Sequence, residues 1–150
     1  MSQENVEIVR RVYDALNDGD WEAVFRETHP DFEVTTQRGP DAGTHRQREE
    51  VQGFGEDYFA AFENHVFEPE EFFEISDQVL VLLTRRARPK GGSVDLVVRN
   101  GHLWTLHDGT ILSMKSFQDP EKALEAVGRS SGRPIHAGSR VDPSRGGRLA

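Results

Sequence analysis

Two stretches at the ends of this 150-residue chain restrict it to very few folds. The first, Asn5–Val34, reads as a helix, a break, a short helix, a stop and a strand. Val9, Val12, Tyr13 and Leu16 recur at helical spacing and predict one apolar face. Asn17-Asp18-Gly19 ends that helix, with Gly19 suited to a left-handed cap, and Asp20 is placed to cap a second helix from Trp21 to about Glu27. Pro30 pushes its predecessor toward extended geometry, after which Phe32 and Val34 alternate with Asp31 and Glu33 as in a strand. The second stretch, His102–Gly128, reads as a strand, a hairpin, a strand and a closing helix. Asp108-Gly109 tolerates the positive φ angles of a tight hairpin, and Asp119-Pro120 opens the last helix with Pro at a favoured position.

The middle of the chain supplies the rest of a sheet. Arg38–His45, with Gly39, Pro40 and Gly43, is a loop by composition. A third helix is predicted from about Gln47 to Phe62, with Val51, Phe54, Tyr58 and Phe62 on one face. Gly53 and Gly55 each weaken it by about 1 kcal/mol relative to Ala, so they signal either close approach by another backbone or a locally loose helix. Strands are expected at about Val66–Ile75, Val79–Arg88, Val94–Leu106 and Ile111–Gln118. No internal repeat is present.

Composition narrows the function classes. Nine Phe and two Trp supply large apolar area for a core. The longest strongly apolar run, Val79–Leu83, is far too short to cross a bilayer, and the opening residues hold no apolar signal core. The absence of cysteine excludes disulfides, zinc-thiolate sites and cysteine nucleophiles. A cytoplasmic protein without membrane association is expected. Residues 1–128 carry 25 acidic and 13 basic side chains, whereas 129–150 carry five Arg and one Asp. The acidic body argues against a nucleic-acid partner, because such affinity comes mainly from cations on phosphate. The domain boundary is placed at Gly128, and 129–150 is read as a flexible basic tail.

Ala15-Leu16-Asn17-Asp18-Gly19-Asp20, Pro30-Asp31-Phe32 and the hairpin from His102-Leu103-Trp104-Thr105 to Asp108-Gly109 occur in an order that resembles the nuclear transport factor 2-like superfamily, and within it the SnoaL-like domains. The resemblance spans roughly Glu4 to Gly128. It implies an α+β cone: three helices against a curved, mostly antiparallel sheet, with a short closing helix, a blind pocket, and a homodimer through the outer sheet face. It also implies cofactor-free isomerase-, cyclase- or hydrolase-like chemistry, but the residues such relatives use are missing. The proton-moving carboxylate of ketosteroid-isomerase-like members falls on Thr36, their helix tyrosine on Val12 with Tyr13 out of phase, and their protonated acid on Gly101. Limonene-epoxide-hydrolase-like members use an Arg, matched by Arg99, and two Asp, which fall on Gly101 and Ser116. The last strand, where polyketide cyclases carry an acid, contains no Asp or Glu. No catalytic residue is assigned, and the enzyme question stays open.

Strand residues alternate between faces, so a cavity-facing Gly101 carries Val97, Arg99 and Leu103 with it. Met114, Ser116 and Gln118 then line the pocket from the last strand, Val34 and Thr36 from the first, Val12 from the first helix, and Phe54 and Tyr58 from the third. The expected ligand is small and mainly apolar, with an anionic or carbonyl end held by Arg99 through its donor fork. His102 and Trp104 are placed on the opposite face, at a sheet-face or dimer-interface position. The six His lack metal spacing, so neither metal nor cofactor is expected. The cluster Glu63, Glu68, Glu70, Glu71 and Glu74 reads as a solvated strand edge. The competing reading is a non-catalytic dimerisation or scaffold domain whose cavity is packed shut by Phe54, Tyr58 and Phe62.

Overall fold

Val79–Leu83 explains why the molecule has two apolar layers. Every side chain in this run is fully buried, and alternation sends Val79, Val81 and Leu83 to one face of the sheet and Leu80 and Leu82 to the other. The computed structural model describes residues 2–36 and 43–128, excepting the side chains of Ser2 and Gln3. The tail expected over 129–150 lies outside the described residues.

The elements are α1 (Ser2–Asp18), α2 (Trp21–Arg26), β1 (Thr28–Thr36), β2 (Gly43–Arg46), α3 (Arg48–Ala60), β3 (Phe62–Ile75), β4 (Gln78–Pro89), β5 (Leu96–His107), β6 (Thr110–Phe117) and α4 (Pro120–Ala126). One six-stranded sheet runs in the order β2-β1-β6-β5-β4-β3. All neighbours are antiparallel except β1 and β6, which are parallel. This is the α+β cone that the resemblance implies. Register shifts interrupt the β3–β4, β1–β6 and β5–β6 pairings, and such bulges bend and twist a sheet locally. β3 is an edge strand. Two of its acids pair across the sheet, Glu68 with Arg86 at 2.9 Å and Glu70 with Arg99 at 3.1 Å.

Local chemistry sets the helix ends. Gly19 adopts φ +70°, and the Asp20 carboxylate accepts a hydrogen bond from the Ala23 N–H at 3.1 Å, starting α2. Asp119 caps α4 in the same way, accepting from the Lys122 N–H at 2.8 Å. Asn17 pins the end of α1 to β3: its amide donates to the Phe67 carbonyl at 2.9 Å, and its carbonyl accepts from the Phe67 N–H at 2.8 Å. The segment expected to be loop, Arg38–His45, overlaps β2, whose four residues pair with β1. So short an edge strand has too few residues for alternation to reveal it.

The inner layer joins Ile8, Val9, Val12, Tyr13 and Ala15 of α1 to Val79, Val81, Leu83, Trp104 and Leu106. The outer layer joins Ala123 and Leu124 of α4 to Phe73, Leu80, Leu82 and Phe117. Gly101 lies under α4. A Cβ there would overlap that of Ala123, so only glycine lets the helix sit against the sheet.

The two glycines of α3 have different causes. A Cβ on Gly55 would lie 2.7 Å from Trp21 Cζ2, so the close approach is made by an indole ring and not by a backbone. A Cβ on Gly53 would meet nothing within 4 Å. Gly55→Ala should therefore destabilise by about 1–3 kcal/mol through overpacking, while Gly53→Ala should stabilise by about 0.5–1 kcal/mol through helix propensity. Urea denaturation of both variants checks the pair; equal effects would contradict this account of Trp21.

Candidate functional site

Between α1, α2, α3 and the inner face of the sheet lies a cavity of about 490 Å³. Val12 and Leu16 reach it from α1, Trp21 and Val24 from α2, and Phe54, Tyr58 and Phe59 from α3. β1 contributes Phe32, Val34 and Thr36, and β6 contributes Met114 and Ser116, with Gln118 just beyond it. Phe54 and Tyr58 form wall while Phe62 is not in the lining, so these rings leave the space open. No Asp or Glu of the described residues lines it.

β5 presents the face opposite to that expected. Leu96, Val98, Asn100, His102 and Trp104 line the cavity, while Val97, Arg99, Gly101 and Leu103 face outward. Val97 is 55% exposed, Arg99 pairs with Glu70, Gly101 lies under Ala123, and Leu103 packs in the outer layer. The physical reason is α4. It needs a glycine beneath it, and the strand period of two then turns Asn100, His102 and Trp104 inward. The expected Arg99 ligand role therefore has no geometric basis. His102 and Trp104 are also not at a sheet exterior or dimer face: they are 5% and 2% exposed inside the cone.

The guanidinium in the cavity wall belongs to Arg85 of β4, a residue that sequence reasoning missed. Its signal was present: Arg85 falls in phase with Val79, Val81 and Leu83, the inward residues of the apolar run. Its Nε–H donates to Asn100 Oδ1 at 2.6 Å, and a terminal N–H donates to the Tyr58 hydroxyl. Tyr58 in turn bonds His65 Nε2 at 3.1 Å, and Asn100 donates to the Gln118 carbonyl at 3.1 Å. These contacts tie β4, β5, α3 and β3 around one cation.

A second network lies beside it. The Trp104 indole N–H donates to the Tyr13 hydroxyl at 3.0 Å, and that hydroxyl contacts His102 Nδ1 at 2.7 Å. Tyr13 is one residue from Val12, yet its ring enters the sheet-side core and is 1% exposed. Burial holds the Tyr13 hydroxyl protonated by raising its pKa, opposed by the Trp104 hydrogen bond. Burial pushes His102 down to about 3, helped by the charges of Arg85 and His65. His65 is pushed down to about 4, again mainly by burial. Both imidazoles are therefore neutral at pH 7. Among the described residues no group of His, Asp and Glu converges as a metal site.

A family model for the SnoaL-like domain matches residues 9–114 of this chain. The chain belongs to the SnoaL-like domain family. No curated protein matches it. Among solved structures, this SnoaL-like domain is similar to TerC crystallised with polyporic acid, at 26% identity over 77% of this chain and 92% of TerC, with a TM-score of 0.71. It is also similar to a nuclear transport factor 2-like protein of unknown function from Burkholderia pseudomallei, at 26% identity over 91% of this chain and all of the other, TM-score 0.70. A protein from a Jannaschia species described as a SnoaL-like polyketide cyclase shares the fold at 23% identity, covering 92% of this chain and 95% of its own, TM-score 0.68. No helix of the described residues is long and apolar enough to cross a membrane.

The neutral histidines give this SnoaL-like domain a defined pH response. An imidazole depressed in the folded state takes its proton in the unfolded state first, so unfolding binds protons between the two pKa values. Stability should be full above about pH 6.5, the ordinary histidine value, and should fall as pH drops toward the folded values of about 4 and 3 for His65 and His102. His102→Gln should flatten that slope in urea titrations between pH 6.5 and 4. An unchanged slope would contradict the buried neutral His102.

Proposed function

We propose that this SnoaL-like domain binds a small, ring-bearing, mainly apolar molecule in the cone, with the ligand's acidic or carbonyl end at Arg85. One observation carries the reading: an apolar cavity of small-molecule size in which a guanidinium is fixed to the wall by Asn100 and Tyr58, beside the neutral donor His102. A held guanidinium recognises a carboxylate, phenolate or enolate at little ordering cost, because its planar fork is already oriented. Crystallisation of the similar TerC with a compound named as an acid supports the same ligand class. The arrangement stabilises negative charge. None of the lining carboxylates that isomerase- or hydrolase-like relatives use to move protons is present among the described residues. The reading is therefore binding and anion stabilisation, without proton abstraction by Asp or Glu.

Thermal-shift and calorimetric titration with a panel of apolar acids, with naphthoate as the reference probe, tests it. Naphthoate should raise the melting temperature, since a ligand of the native state stabilises by mass action, and its methyl ester should bind more weakly. Absence of binding by every acid at millimolar concentration would overturn the reading.

The reading includes a homodimer formed through the outer face of β3–β5, and two exposed valines support it. Val66 and Val97 both pair with Arg86 and so share that face, and they are 40% and 55% exposed. Sedimentation should show a dimer at micromolar concentration that Val97→Glu dissociates; a wild-type monomer at high concentration would remove it.

A further inference from the structure

We propose that His102 selects the oxygen acceptor of the ligand, its Nε2–H donating to a neutral ring carbonyl or ring-bound oxyanion, with Tyr13 and Trp104 as positioning residues. This rests on the cavity-binding reading above and names a second recognition point distinct from Arg85.

The hydrogen-bond chain fixes which nitrogen carries the proton. The Trp104 indole N–H can only donate, so the Tyr13 oxygen accepts at 3.0 Å. The single Tyr13 proton then has one described acceptor within reach, His102 Nδ1 at 2.7 Å. A proton on Nδ1 would leave the buried Tyr13 O–H without an acceptor, which costs desolvation free energy. The neutral imidazole therefore carries its proton on Nε2. No hydrogen bond to that Nε2 is formed among the described residues, and His102 is part of the cavity lining.

The ring is also held still. It stacks in parallel with Tyr13, with centroids 5.9 Å apart at 4°, and meets Trp104 and Phe67 edge-on at 6.2 and 5.7 Å. A donor that cannot turn, in a wall that is otherwise mainly apolar, discriminates by acceptor position. A ligand lacking an oxygen there strips the N–H of water and returns nothing. Because the group facing it is Nε2–H, it favours a ligand atom that offers a lone pair and rejects a ligand N–H that can only donate. Neutral imidazole is also suited to polarising a carbonyl without surrendering its proton. The ligand class is therefore a flat apolar acid that carries a second, ring-bound oxygen acceptor.

The test uses two acids that differ only in that acceptor: fluorenone-carboxylate and the fluorene-carboxylate with its acid at the same ring position. Calorimetry on the full chain should show wild type preferring the ketone by roughly five-fold, the scale of one neutral hydrogen bond. His102→Leu should abolish the preference, His102→Gln should restore part of it through its amide N–H, and Tyr13→Phe should reduce it by freeing the tautomer. Nitrogen-correlated NMR of wild type needs no variant to fold. His102 should show the Nε2–H tautomer in the free protein, and that proton should move downfield with the ketone and not with the hydrocarbon. Equal binding of both acids with an unmoved His102 signal overturns this inference alone, as does an Nδ1–H tautomer. Binding of neither acid, nor of any in the wider panel, overturns the pocket reading and this inference with it.

Discussion

Trp104→Ala should lower the unfolding free energy by about 3–5 kcal/mol, the range for removing a buried aromatic side chain. The indole is 2% exposed and meets Tyr13 edge-on, with ring centroids 5.5 Å apart at 80°. It is also the donor that occupies the Tyr13 oxygen. Its loss removes apolar burial, two aromatic contacts and a buried hydrogen bond together. A domain whose total stability is about 5–15 kcal/mol would be left marginal. Trp104→Phe keeps one aromatic ring but loses the rest of the indole with its N–H, so a smaller loss of about 1–3 kcal/mol is expected. Urea denaturation followed by circular dichroism separates the two. A loss below about 1 kcal/mol for the alanine variant would mean that the inner layer is not organised around this ring.

Arg85→Met should weaken naphthoate binding by roughly ten- to a hundred-fold, the range of one hydrogen bond to a charged group. Binding of the neutral methyl ester should change by less than about three-fold, since methionine preserves apolar contact. Arg99→Met should leave both affinities unchanged, because Arg99 reaches Glu70 on the other side of the sheet. The pair of variants discriminates between the two faces of β5. Equal losses in both, or loss in Arg99→Met alone, would return the recognition role to the outer residue. Arg85→Met should also raise the pKa of His102, since the guanidinium's charge is among the influences that depress it. That shift is readable in an NMR titration as protonation at higher pH.

The fold was legible because its signals are local. Gly19 with Asp20, Asp108 with Gly109, and Asp119 with Pro120 each mark an element boundary by their own backbone preferences, and the structure uses all three. Helical spacing in α1 identified the apolar face that carries Val9, Val12 and Tyr13. The β5 face was not legible in the same way. Alternation fixes which residues share a side but not which side faces inward. Matching Gly101 to a catalytic position chose the wrong side. A packing reading of the same glycine, as the floor beneath a helix, would have chosen the other and turned His102 and Trp104 inward. Arg85 was hidden for a related reason. It ends an apolar run, where a charged residue reads as the strand's exit to solvent, and only the partners Asn100 and Tyr58 reveal why a guanidinium stays in the wall.

The parallel pairing of β1 with β6 has a consequence for how the chain is made. Thr28–Thr36 joins Thr110–Phe117, so the long partner of the first strand leaves the ribosome about eighty residues after it. Until then β1 has only the four-residue β2 beside it. Closure of the β1–β6 seam therefore waits for β6, and sequence-distant pairing of this kind slows folding. The first strand's open edge is therefore carried through translation of β3, β4 and β5, and the two halves of the sheet meet only once the last strand has been made.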